Sequence, residues 1–390
     1  VASLSLVLLL SFAASLGMAF NLDAIVVSFN TTDTVAGLVA SGEMGSIAAG
    51  TLLIIRLSGR FHPHRVFFVG AATIVTFNVV SVIAPDVLWL GLSRLPAGFA
   101  LGAVSATVMQ TAGRSHRPEM TFGLITASIG VMGMFISFVL PRALNMHQIL
   151  PAVHQWSQLD GLYIVYVLCS LCALLFIHWT PGGSGGAQSA SDHAPLHRSG
   201  WFALVGLALL FCGHGLLGVF LVRLGRDLNL APEVIGYVFM AASLLGIALP
   251  VTVGYVGTRV ASRISIAIGG AVLITTGLIV ANTQLPTVYF LIAPIFAVLP
   301  SGIFPIFLGA LSRIDPTGRL VGANQAFLMV GAAIAPFIGG ALSDFAGYSA
   351  NGVALACFVA VGVMLAQPAL ARADALRPVV QEAKEVRNAG

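Results

Sequence analysis

The chain has 390 residues, 58% of them hydrophobic and only 8% charged, with a formal net charge of +4. A soluble domain carries about a quarter charged residues, so a water-soluble globular fold is excluded, and lipid is the solvent that accepts this much apolar surface. The pI near 9.1 does not indicate nucleic acid, because the one lysine is Lys384 and the arginines fall in short gaps between apolar runs.

Taken in chain order, apolar segments long enough to cross a bilayer are predicted at Ser3–Phe29, Val35–Leu57, Val66–Ala84, Val87–Thr111, Phe122–Leu140 and Leu162–Trp179. Six more follow at Trp201–Val222, Val234–Gly254, Ile264–Ala281, Val288–Leu311, Leu320–Ala341 and Gly352–Gln367. The first segment has no basic leader and is too long for the apolar core of a signal peptide, so it is expected to be a membrane helix. The fold class is therefore an all-α membrane protein of about twelve transmembrane helices.

Arginines alternate between the gaps. One side collects Arg56, Arg60, Arg65, Arg114, Arg117, Arg198, Arg259, Arg263, Arg313 and Arg319, while the other has Arg142, Arg223 and Arg226. The positive-inside rule assigns the first set to the cytoplasm, and an even number of spans then puts both termini there, as in a bacterial inner-membrane protein. The widest cytoplasmic gap carries the run Pro181-Gly-Gly-Ser-Gly-Gly, the composition of a flexible linker. The expected organisation is a six-helix bundle over residues 1–179, a linker over 180–200, a second bundle over 201–370 and a cytoplasmic tail over 371–390.

A shift of about 200 residues lays Val35-Ala-Gly37-Leu-Val on Val234-Ile-Gly236-Tyr-Val, Gly102 on Gly302 and Gly130 on Gly331, as expected of repeated halves. The external stretch Arg142–Asp160 is predicted to hold an interfacial helix. Its His147 and His154, seven apart with no third ligand, are read as loop residues and no metal is expected. Cys169 and Cys172 form a C-x-x-C inside an apolar run and are read as helix packing.

Six spans, a cytoplasmic linker and six more spans resemble the major facilitator superfamily over essentially the whole chain. The fourth span adds Arg94-Leu-Pro-Ala-Gly98-Phe-Ala-Leu-Gly102, similar to that family's Arg-x-x-x-Gly motif, whose arginine the resemblance implicates in proton coupling. Gly98 and Gly102 also make a face for close helix contact. The loop after the second span departs from the family pattern, since Arg56 stands where an aspartate belongs in Arg56-Leu-Ser-Gly59-Arg60. The fifth span lacks the Gly-Pro and Gly-Gly pattern associated with antiporters, and a similar run, Ala335-Pro336-Phe-Ile-Gly339-Gly340, lies on the eleventh.

Ionisable residues inside apolar spans cost at least about 2.5–3.5 kcal/mol each and mark candidate sites. Asp23, Glu43, Arg94 and His214 stand out. Counting residues from the span ends puts the first three in one layer, roughly 9–12 Å below the outer surface. Glu43 is assigned as the main proton carrier, with Asp23 and Arg94 as a linked pair, because an arginine beside a carboxylate favours its ionised form. For substrate, the candidates are His214, which flanking glycines expose, Asn324 and Gln325 as adjacent amides in the eleventh span, and Tyr237. Asn21, Asn78 and Gln110 are weaker polar candidates, and Phe20, Phe135, Phe211 and Phe239 are candidate cavity walls. Pro294, Pro300 and Pro305 are expected to bend the tenth span.

These features predict a proton-coupled secondary transporter of a small organic solute, weighted toward uptake symport of an organic anion. Its partners are then substrate, protons and membrane lipid, without nucleic acid, and the chain is expected to act as a monomer. Proton-driven efflux of lipophilic or cationic compounds is the alternative, and a non-transporting membrane receptor or scaffold is the reading from another class. No nucleotide-binding loop or catalytic triad is visible, so neither an enzyme nor a cofactor is expected.

Overall fold

The computed structural model describes residues 2–57, 60–113, 118–146, 157–180, 198–257, 260–315 and 319–376. The interior of the predicted linker, His147 and His154 with most of the predicted interfacial helix, Gly59, and the tail beyond residue 376 lie outside the described residues. No strand occurs among the described residues.

The amino-terminal half comprises α1 (Ala2–Ser11), α2 (Ala13–Leu16), α3 (Met18–Phe29), α4 (Asp33–Arg56), α5 (Pro63–Val82), α6 (Val87–Gly113), α7 (Pro118–Leu144) and α8 (Gln158–Phe176). The carboxy-terminal half comprises α9 (Arg198–Gly218), α10 (Leu221–Asp227), α11 (Pro232–Gly257), α12 (Ser262–Asn282), α13 (Pro286–Ile314), α14 (Arg319–Ala346) and α15 (Tyr348–Ala375). Among the described residues ten helical stretches are long and apolar enough to cross a membrane, and the shorter apolar stretches Met18–Phe29 and Ser128–Leu144 fall in the expected first and fifth spans.

Two spans differ from their predicted form. The first is interrupted at Phe12 and at Gly17. A side chain at Gly17 would meet the Tyr166 hydroxyl at 2.3 Å, so the glycine admits Tyr166, whose hydroxyl donates to Asn21 Oδ1 at 2.7 Å. Asn21 in turn donates to the carbonyl of Ala14 at 3.0 Å, satisfying a backbone acceptor beside the break. The seventh span continues beyond its predicted end, because the apolar stretch runs Ser199–Asp227 through α9 and α10. Arg223 and Arg226 are therefore helical residues rather than loop residues.

Proline and capping residues set several helix starts at one face, here called the hairpin face, where the α3–α4, α10–α11 and α14–α15 connections lie. Thr32 caps α4 by accepting from Val35 N, and Ser157 with Asp160 forms a capping box on α8. Inside the carboxy-terminal half, α9, α12, α13 and α15 enclose an apolar core. Buried Tyr289 of α13 donates to the carbonyl of Leu221 at 2.7 Å, holding the junction of α9 and α10. Tyr289→Phe should remove that bond and lower stability by about 0.5–1.5 kcal/mol, read as a lower Tm in detergent. An unchanged Tm would show that the junction does not rely on this bond.

Close helix approach depends on glycine. A Cβ on Gly102 would lie 2.0 Å from the carbonyl oxygen of Ile47, and one on Gly50 would lie 2.1 Å from that of Phe99. The glycine face foreseen on the fourth span is thus where α6 meets α4. A second seam joins the halves, with Gly37 of α4 against the Pro336 carbonyl of α14 and Gly340 against that of Asp33.

Candidate functional site

Two buried charge clusters occupy the structure, and the single layer inferred from span counting is divided between them. The first lies at the hairpin face, between the halves. Asp23 of α3 is fully buried, with Oδ2 at 2.7 Å from Arg226 Nε and Oδ1 at 3.6 Å from Arg223 NH1. Arg223 Nε also lies 3.3 Å from Asp33 Oδ1. The other oxygen of Asp33 accepts from Tyr348 at 2.6 Å and from Ser343 at 3.1 Å. Nearby, Asp344 accepts from the backbone of Asp33 and Thr34 and from the Thr34 hydroxyl. Arg226 further donates to Gln158 at 3.0 Å, and Asn145 to Glu233 at 2.7 Å. Two acids of the amino-terminal half thus meet two arginines of the other, with neutral donors filling the remaining acceptors.

The sequence-based pairing of Asp23 with Arg94 is corrected here: Asp23 pairs with Arg226 and Arg223. The physical reason is that α10 extends the seventh span far enough to bring two arginines, three residues apart on one helical face, against Asp23 in the middle of α3.

The second cluster lies within the amino-terminal half. Glu43 of α4 and Arg94 of α6 are 3% and 2% exposed, with Arg94 Nε 3.4 Å from Glu43 Oε2. Arg94 NH1 donates to Asn78 Oδ1 at 2.9 Å and to Ser81 Oγ at 3.2 Å, and its guanidinium carbon sits 5.1 Å from the Tyr163 ring centre. Ser81 is bonded to Ser93 at 2.8 Å, and Asn78 Nδ2 donates to Ser170 at 3.3 Å. Glu43 Oε1 is buried without a hydrogen-bond partner. Gly98 allows the approach, since a Cβ there would lie 2.6 Å from the Glu43 carbonyl. A buried cation is therefore matched by one carboxylate and several neutral dipoles, and one carboxylate oxygen is left over.

The predicted substrate residues do not converge. The His214 ring packs on Phe296 with centres 4.9 Å apart, and Nε2 has no hydrogen-bond partner. Asn324 is buried with Oδ1 unpartnered. Gly215 packs on Ala335, which aligns His214 with a level of α14 about eleven residues, or roughly 16 Å, from Asn324. Tyr237 is 45% exposed, and the side chain of Gln325 lies outside the described residues. Phe20 and Phe239 meet across the halves at 5.2 Å, Phe211 packs on Phe304 at 6.0 Å, and Phe135 is exposed. Among the described residues no group of three or more acidic, histidine or cysteine side chains is placed to hold a metal.

Sequence reasoning missed Asp33, Arg223, Arg226 and Asp344. The spacing of the two arginines by three residues at a span end was the available signal.

Residues 203–388 match the family description "Major Facilitator Superfamily". No curated protein matches the sequence at a significant level. Solved structures share the fold over nearly the full chain. A mutant of the peptide transporter POT aligns with a TM-score of 0.72 at 13% identity, covering 96% of this chain and 94% of that one. A mutant of the nucleoside transporter NupG gives 0.71 at 15% identity, covering 95% and 98%. A bacterial homologue of the human lysosomal transporter Spinster, inward-facing and unoccupied, gives 0.67 at 13% identity, covering 96% and 95%.

Proposed function

We propose that this chain, whose residues 203–388 match the Major Facilitator Superfamily description and whose fold is that of solved transporters, is a proton-coupled secondary transporter of a small organic solute. The observation that carries this reading is the buried Glu43–Arg94 pair with its unpartnered carboxylate oxygen. A carboxylate kept out of water beside one arginine and neutral dipoles has two accessible charge states, and a proton-driven carrier needs such a group. Glu43 is the proton acceptor and Arg94 its fixed counter-charge. Asp23, with Arg223, Arg226 and Asp33, acts instead as the gate that holds the halves together at the hairpin face.

The arginine distribution supports an external position for that face and cytoplasmic termini, so the conformation corresponds to a carrier closed to the outside. Arg94 is engaged by Glu43, Asn78 and Ser81, which leaves it unavailable to a substrate anion. Unpartnered His214 Nε2 and Asn324 Oδ1 favour a neutral polar solute over the organic anion foreseen above, contacted at separate depths. Uptake by symport is the preferred direction, since the antiporter pattern is missing from the fifth span. Proton-driven efflux and a non-transporting receptor are outcomes of the test.

The test is reconstitution in proteoliposomes under an imposed pH gradient, with a panel of nucleosides, dipeptides and monocarboxylates. External alkalinisation during solute entry supports symport, proton entry during solute exit supports antiport, and no flux of any panel member favours the receptor. Glu43→Gln should reduce proton-driven accumulation at least about tenfold, a loss of roughly 1.4 kcal/mol in driving force. If that variant accumulates solute with an unchanged pH profile, Glu43 is not the carrier.

A further inference from the structure

Arg94 is among the largest fully buried side chains of the described residues, and its shortest contacts are to neutral atoms rather than to its acidic partner. The bonds to Asn78 and Ser81 are 2.9 and 3.2 Å. The nearest Glu43 oxygen is 3.4 Å away, and Arg94 Nε makes no hydrogen bond. Both neutral acceptors belong to α5, and the ring of Tyr163 covers the guanidinium from α8.

The acceptors are themselves held. Asn78 Nδ2 donates to Ser170 Oγ, which donates to the carbonyl of Tyr166 at 2.7 Å. Ser81 shares its hydroxyl with Ser93, which donates to the carbonyl of Leu90 at 2.7 Å. The amide of Asn78 is thereby oriented with its oxygen toward Arg94. An arginine held by Glu43 alone would become an unpaired buried cation once that acid was protonated, and such a charge is strongly destabilising. The neutral acceptors remove that difficulty, because they stay in place and keep their dipoles in either state of Glu43.

Resting on the assignment of Glu43 as the proton acceptor, we propose that Asn78, aided by Ser81 and Tyr163, is a positioning residue that fixes Arg94 while Glu43 gains and loses its proton. Coupling then runs through the carboxyl group and its free Oε1, without an arginine that swings between acids. The charged and titratable groups facing this pair are Arg94 from α6 and Tyr163 and Tyr166 from α8, with Cys169 beyond Tyr166. From α5 the pair meets the neutral Asn78 and Ser81.

The experiment uses the full chain in lipid nanodiscs with the proton alone as ligand. Infrared titration follows the C=O stretch of protonated carboxyl groups, and the component lost in Glu43→Gln is assigned to Glu43. In Asn78→Leu the freed guanidinium closes on Glu43 and favours its ionised form. The midpoint of that component should move toward acid by about one pH unit, a tenfold change in proton concentration. Asn78→Gln, which restores a carbonyl acceptor, should bring it back to within about threefold of the original. Should Asn78→Leu fail to fold, Ser81→Ala is read instead, with a shift in the same direction of about threefold. A midpoint unmoved in the variant that folds overturns the clamp while leaving Glu43 as carrier. Absence of any titrating component sensitive to Glu43→Gln overturns the carrier assignment itself, and the clamp with it.

Discussion

Replacing Arg226 by methionine should open the hairpin face, raising the ratio of open to closed molecules by about thirtyfold. Asp23 is fully buried in the closed arrangement, and Arg226 Nε at 2.7 Å is its nearest cation. Without it Arg223 serves two acids, Asp23 at 3.6 Å and Asp33 at 3.3 Å. Removing one partner of a buried pair costs about 3–5 kcal/mol. Arg226 is 23% exposed and Arg223 remains, so about 2 kcal/mol is the appropriate figure, and each 1.4 kcal/mol is about tenfold. Only the closed state bears this cost, because Asp23 is hydrated once the halves part. Electron-resonance distances between spin labels at Thr31 and Ala231, in a cysteine-free background, report the two populations. Asp23→Asn combined with Arg226→Met should restore much of the closed population, since the stranded charge is gone. A distance distribution in Arg226→Met identical to that of the parent would remove the gate from the account.

Gly102→Val should prevent the amino-terminal half from assembling. The added Cβ would meet the Ile47 carbonyl oxygen at 2.0 Å and Thr51 N at 2.9 Å. Those are backbone atoms and cannot rotate away. Helices α4 and α6 would have to separate, breaking the Thr51 hydroxyl bond to the Gly102 carbonyl at 3.2 Å. Overpacking costs about 1–3 kcal/mol in ordinary cores, and more is expected here because membrane helices associate through close packing. The measurement is the yield of monodisperse protein and its Tm, with Gly42→Ala as control, where the nearest atom is the mobile Leu95 Cδ2 at 3.3 Å. Equal Tm values for the two variants would contradict the argument. Gly37→Ala makes a different point. Its Cβ would lie 2.2 Å from the Pro336 carbonyl oxygen across the halves, so it should favour the open state while leaving each half intact.

The apolar spans were legible because lipid imposes length and composition directly on the sequence. Glu43 and Arg94 were legible for the same reason, as charges that apolar runs do not tolerate without a purpose. Their partnership was not, because depth along a helix says nothing of azimuth, and Asp23 at a similar counted depth looked equally eligible. Asp33 resembled an ordinary first-turn acid beside the Thr32 cap. Arg223 and Arg226 resembled topology markers at a span end. What unites these residues is a contact between segments about 190–200 positions apart, and no local rule of spacing records it. The broken first span was hidden too, since Gly17 breaks the helix in concert with Tyr166, almost 150 residues away.

The seam between α4 and α14 consists of Gly37, Ser41 and Gly45 set one helical turn apart, facing Pro336, Phe337 and Ala333. Small residues bring main chains together, and in lipid, where no hydrophobic force drives helices onto one another, that close contact is what holds them. Parting this seam wets helical backbone whose hydrogen bonds are mostly satisfied within each helix. The closed arrangement is therefore held along this line by close fit, with a hydrogen bond from Phe337 N to Ser41 Oγ across it. On the proposed reading the charged latch at the rim adds a second hold, one that a change of charge can release, so an ion or solute that binds one arrangement better can tip the balance.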